Sequence, residues 1–170
     1  LIVFAGDAYV QMPVTTDYSA AKLFLNTINT NMVPTQGTAI GAAIDLGIKS
    51  FDFKNGTGKA MIIITDGENH EDDAVEAAKN ATDKDVTVHV IGIGSPEGAP
   101  IPIYRNGKQE GFHTDSTGKT IISKLDENMG KEIAAAGNGA YVRATNANSG
   151  LGIIMSQIDK IQRKTVDTKS

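Results

Sequence analysis

The chain has 170 residues, is 40% hydrophobic and carries a formal charge of −4. That size and apolar content suit one α/β domain with a sizeable core. The absence of cysteine excludes disulfides, a cysteine nucleophile and cysteine-ligated metal. An acidic balance without a basic, aromatic-interleaved stripe argues against nucleic acid, and no apolar run reaches the length of a membrane span.

Leu1-Ile2-Val3-Phe4-Ala5 has the pattern of a buried strand, ended by Gly6. It begins without a cap or turn, which leads us to expect further residues of the same domain upstream. Tyr9 to Val14 is a short strand, and Pro13 places it at a sheet edge. The Gly6-Asp7 connection predicts an antiparallel hairpin. Thr15, Thr16 or Asp17 then caps a helix to about Asn29, with Ala20, Leu23, Phe24 and Ile28 on one face. A second helix begins near Thr38 and carries Ile40, Ala43, Ile44 and Ile48 at helical spacing. Gly41 and Gly47 lower its helix propensity, so close approach to a sheet is the expected return.

Met61-Ile62-Ile63-Ile64-Thr65 is an apolar run that stops at Asp66-Gly67. Consecutive large apolar residues predict a strand buried on both faces, as in parallel sheets covered by helices. Asp73 and the acids before it suit a helix start, and that helix runs to about Thr82. Val86 to Ile93 is the next buried strand. Strand, helix, strand at this spacing predicts a parallel βαβ unit. Residues 95–121 hold three prolines and an Asn106-Gly107 step, the signature of an inserted hairpin. A helix follows from Asp126 to about Ala136, then a strand over residues 140–144. A last helix starts near Asn148, with Leu151, Ile154, Ile158 and Ile161 on one face. The predicted fold is α/β: a doubly wound, mostly parallel sheet flanked by helices, with one antiparallel edge strand and an inserted hairpin. It forms a single domain over residues 1–164, with a tail at 165–170.

Phosphate and zinc motifs fail on inspection. Ser116-Thr117-Gly118-Lys119-Thr120 lacks the earlier glycine of a P-loop, and Gly56-Thr57-Gly58-Lys59 precedes a strand rather than a helix. Gly92, Gly94 and Gly98 are wrongly spaced for a dinucleotide fingerprint. His70, His89 and His113 lack metal-ligand spacing. Asp66 remains, at the carboxyl end of a strand, where α/β sheets place their ligands. Its bland alternative is a turn or helix cap. Thr38 has the same alternative as an N-cap.

The order of these two motifs is informative. A Gly-Thr-Ala-Ile-Gly helix start, followed by a buried strand ending Thr-Asp-Gly-Glu, resembles the von Willebrand factor type A (VWA) family. More narrowly, LIVFAGDAYVQMPVTTDY, GTAIGAAIDLG, IIITDGENHEDD and IGIGSPEGAPIP are similar to its bacterial aerotolerance (Bat) members. The resemblance implies a non-catalytic protein–protein interaction module with a metal-ion-dependent adhesion site. Thr38 and Asp66 match two of that site's residues, for Mg²⁺ or Mn²⁺. Glu68, Asn69, Glu71 and Asp72 would form a partner rim, and the partner would offer an acidic side chain to the metal. The family's Asp-x-Ser-x-Ser is absent from the sequence. The resemblance puts it on a strand upstream of Leu1, between LIVFA and MIIIT. It also implies a bacterial inner-membrane setting, with the membrane reached through segments outside this sequence.

Two rivals belong to other classes. One is a Mg²⁺-dependent phosphoryl-transfer enzyme with Asp66 as nucleophile, Glu68 as acid–base group and Lys59 or Lys119 as phosphate cation. The other is a structural module with a vestigial metal site.

Overall fold

The structure, a computed structural model, describes residues 1–67 and 73–167. In chain order the elements are β1 (Ile2–Phe4), β2 (Ala8–Val10), α1 (Tyr18–Asn26), α2 (Ile40–Ser50), β3 (Lys59–Thr65), α3 (Ala74–Thr82) and β4 (Val86–Gly92). After them come β5 (Ala99–Pro100), β6 (Pro102–Arg105), β7 (Lys108–Phe112), β8 (Ile122–Ser123), α4 (Glu127–Ala136), β9 (Asn138–Arg143) and α5 (Leu151–Asp167).

The main sheet is parallel and runs β3-β4-β9. β4 lies in the middle and is paired along its whole length with β3, Lys59 opposite Val86 and Thr65 opposite Gly92. Helices cover one face. Ile40, Ile44 and Ile48 of α2, the alanine stripe of α3, and Ile133 and Ala134 of α4 bury Ile63, Val86, Val88 and Val90. The small residues of α3 let that helix lie close to the sheet. Gly47 does the same for α2, because a Cβ there would strike the sulfur of Met61. The other face belongs to α5: Gly150 packs on Val142, whose β4 partner is Ile91, and Ile154 is fully buried. Helices on both faces make the sheet doubly wound, as the sequence predicts.

The helix starts follow their capping residues. Asp17, Asp73 and Asp126 accept backbone N–H bonds at the first turns of α1, α3 and α4. The Asn106-Gly107 step joins β6 to β7 as predicted, with both residues in the left-handed region. β5 pairs with β8 at the base of this insert.

β1 and β2 pair antiparallel, as expected, in a two-stranded sheet that is not hydrogen-bonded to β3. Three other expectations need correction. β3 is not buried on both faces: Ile63 and Thr65 are, whereas Ile64 is 56% exposed. α1 buries none of its residues, and Leu23 of the expected apolar face is 69% exposed. Leu151 of α5 is likewise exposed, and the side chain of Ile161 lies outside the described residues. The exposure of Ile64 has a local cause. Among the described residues no strand pairs with the outer edge of β3, and the space between it and β1 is a cavity of about 1000 Å³. Residues of Leu1–Ala5 line one side of it and Met61–Thr65 the other.

Candidate functional site

The carboxyl end of β1 is clamped to the segment before α2. Gly6 N–H donates to Thr35 O (3.0 Å), Ala39 N–H donates to Ala5 O, and Thr35 Oγ1 donates to Asp7 Oδ2 (3.0 Å). Gly6 is needed for this approach, since a Cβ there would strike Gln36 O. Thr38 therefore sits, half-buried, beside the end of β1. The residue at the α2 boundary is Ala39, which has no side-chain group to cap with.

The carboxyl end of β3 is held from the other side. Ile93 N–H donates to Thr65 O (2.8 Å), and Asp126 N–H donates to Asp66 O (3.0 Å). Thr65 Oγ1, buried, accepts from Gly67 N–H (3.1 Å) and closes the turn. Gly67 has φ 85° and lies against the Asp126 carbonyl, so a side chain there would meet both strain and backbone. These bonds leave the Asp66 carboxylate exposed. Thr38 and Asp66 both line the rim of the cavity between β1 and β3. The fold thus brings the two sequence-predicted residues to one opening from opposite walls.

Sequence reasoning missed the support from α4. Asp126 caps α4 with its side chain and braces Asp66 with its backbone. Next to it, Glu127 accepts from the Tyr141 hydroxyl (3.2 Å), and Arg143 Nη1 lies 3.9 Å from its other oxygen. Burial first, then the Glu127 charge, push the Tyr141 phenol up to about 12, so it stays a donor. Nothing in the sequence links residue 126 to residue 66; their contact follows from where β3 and β4 end.

Glu68, Asn69, Glu71 and Asp72 of the expected rim lie outside the described residues. Lys59 does not join Asp66: it opens β3 and Asp66 follows its end, roughly 20 Å away at strand rise. Lys119 lies in the insert and does not line this cavity. Hydroxyl and carboxylate oxygens suit a hard divalent cation, but two protein donors are far fewer than the six positions of Mg²⁺. Among the described residues no cluster of three or more His, Cys, Asp or Glu could hold a metal.

The profile of the von Willebrand factor type A domain matches residues 1–115. The chain belongs to the VWA family. Its structural relatives include an aerotolerance-related membrane protein from Bacteroides fragilis, solved with multiple mutations to serine. That protein is 49% identical over 94% of this chain and 77% of its own, with a TM-score of 0.85. The conserved hypothetical protein BatB from Bacteroides thetaiotaomicron is 48% identical over 94% and 78%, with a TM-score of 0.83. Proximal thread matrix protein 1 from the mussel byssus, solved with a zinc-occupied MIDAS motif, shares the fold. It is 16% identical over 94% of this chain and 33% of its own, with a TM-score of 0.60. Among curated proteins no relative matches. VWA domains are generally non-catalytic interaction modules. No helix among the described residues is long and apolar enough to cross a membrane.

Proposed function

We propose that this VWA domain is a non-catalytic protein-binding module that holds Mg²⁺ or Mn²⁺ with Thr38 and Asp66. The observation that supports this reading is their shared position on the rim of one cavity, at the carboxyl ends of β1 and β3. The remaining oxygens come, on this reading, from an Asp-x-Ser-x-Ser strand that lies in the cavity between those strands. Such a strand would pair with the open edge of β3 and cover Ile64. The Thr38 hydroxyl would coordinate the ion. The Asp66 carboxylate would bind it directly or accept hydrogen bonds from its water. A partner carboxylate takes the open coordination position, with Glu68, Asn69, Glu71 and Asp72 setting partner choice at the rim. The domain works as the soluble part of a bacterial inner-membrane protein, anchored by segments beyond residues 1–170.

Calorimetry tests the metal part. Residues 1–170 alone bind Mg²⁺ weakly, and a longer parent chain containing the Asp-x-Ser-x-Ser strand binds one ion. Asp66→Ala in that longer chain abolishes both the ion and partner capture. Tight stoichiometric binding to residues 1–170, lost on Asp66→Ala, would overturn the division of ligands. Partner binding that survives Asp66→Ala in the longer chain would favour the vestigial site.

A further inference from the structure

A second cavity lies at the opposite end of the sheet, where β3, β4 and β9 begin. It measures about 460 Å³, within the roughly 300–1,000 Å³ range of small-molecule pockets. One wall is a polar loop held by its own hydrogen bonds. Asn55 Oδ1 accepts from the Thr57 amide (3.2 Å) and hydroxyl (2.8 Å), closing a turn around Gly56 at φ 62°. The Lys59 ammonium is drawn into this loop, donating to Thr57 O (2.8 Å) and Asn55 Oδ1 (3.3 Å), 5.2 Å from the centre of the Phe53 ring. An ammonium has three donors, so one remains.

Lys84 enters from the turn after α3, and its ammonium makes no ion pair or hydrogen bond among the described residues. Beside it are Asp85 and, from the start of β9, Asn138, with φ 57° and 53°. Both stand just past a helix end, α3 and α4 respectively, where a left-handed residue ends the last turn; the helix ends thus fix their backbone beside this cavity. The glycine loop that fails as a P-loop thus builds one wall of a pocket with two cations, one carboxylate, one carboxamide and an aromatic face.

We propose that this cavity binds a phosphorylated polyol. Lys59 and Lys84 pair with the phosphate, Asp85 and Asn138 take the hydroxyls, and the Phe53 ring covers the carbon chain. Asp85 disfavours inorganic phosphate, which brings its charge to the carboxylate without the carbon-borne hydroxyls of a polyol. The ligand's source is either a free solute or a phosphoglycerol headgroup at a membrane surface, and both carry this chemistry.

Amide chemical shifts of the intact protein, titrated with glycerol 3-phosphate, inorganic phosphate and glycerol, test the site. A parallel arm uses vesicles with and without phosphatidylglycerol. The expected result is saturable binding of glycerol 3-phosphate or of phosphatidylglycerol vesicles, with shifts at residues 56–59, 84–87 and 138. Lys84→Met weakens it about tenfold, equivalent to 1.4 kcal/mol. Asp85→Asn, which keeps left-handed tolerance, weakens glycerol 3-phosphate but strengthens inorganic phosphate. Asp66→Ala leaves binding unchanged, which separates this site from the metal site. Absence of saturable binding in both arms would overturn the proposal. So would affinity unaltered by Lys84→Met in a protein whose thermal melt is normal.

Discussion

Six of the seven residues of β4 are buried, against two of seven in β3. Both strands are apolar, equally long, parallel and in register. The difference is in what surrounds them. β4 has a strand on each side and the helical core over one face, and His89 and Ile91, which alternate to the other face, are buried as well. β3 has β4 on one side and a cavity on the other, so Ile64 stands at an opening. α2 and α1 repeat the contrast. Both are amphipathic, but α2 packs its apolar face on the sheet, whereas α1 lies at the cavity with Leu25 lining it, as does Ile28 just past its end. Ile64 of β3 and Leu25 of α1 stand exposed at this cavity, and Asp66 follows the end of the same strand β3. Amphipathic pattern sets which side chains seek burial, and neighbours decide which of them achieve it.

Paired substitutions break this comparison most strongly in the strands. Val90→Asp puts an unpaired charge in a fully buried site and is expected to lower stability by more than about 3 kcal/mol, or to prevent folding. Ile64→Asp on β3 is expected to change the unfolding free energy, read from urea titration, by less than about 1 kcal/mol. In a longer chain that fills the cavity, Ile64→Asp should approach the Val90 result. A persistently mild effect there would mean that no strand covers β3.

The helices give the next largest difference. Ile44→Ala in α2 should cost about 2–5 kcal/mol, and Leu23→Ala in α1 less than about 1 kcal/mol, read from denaturant unfolding. Equal effects would show that α1 is buried in solution. At the site itself, Gly67→Ala should cost about 1–3 kcal/mol, because φ 85° and the Asp126 carbonyl both oppose a Cβ. Its amide spectrum should show shifts at both Asp66 and Asp126, whereas changes confined to residue 67 would break the proposed brace.

The smallest effect depends on pH. His89 is 1% exposed, and its Nδ1 accepts from the Ala140 amide (3.0 Å) while Nε2 has no partner among the described residues. Burial lowers its pKa from the ordinary 6.5. The folded state therefore holds His89 neutral. The unfolded chain gains the proton first as pH falls. Stability from this residue is complete above about pH 6.5 and declines below it until the folded pKa is passed, by at most about 1.4 kcal/mol per pH unit. His89→Leu should remove that component of the slope, measured by urea unfolding between about pH 8 and pH 5. An unchanged slope would assign the acid sensitivity elsewhere.

Much of the fold was legible in the residues. The βαβ unit over residues 59–92, the Asn106-Gly107 hairpin, the aspartate caps and the antiparallel first pair follow from local pattern, and local pattern is what sequence records. Half of the candidate site was legible too. Asp66 stood at a strand end and Thr38 at a helix start, and their order pointed to the VWA family. The bracing of Asp66 by Asp126 was not legible, because sixty residues separate them and only sheet register makes them neighbours.

The sequence by itself determined that Met61 to Thr65 would be a strand and that Asp66 would end it, because four large apolar residues and a glycine leave few other conformations. Only the tertiary structure decided that this strand lies at an edge, with Ile64 exposed beside a cavity shared with β1. Burial belongs to the packed neighbours of a side chain, so no pattern within the strand could have stated it.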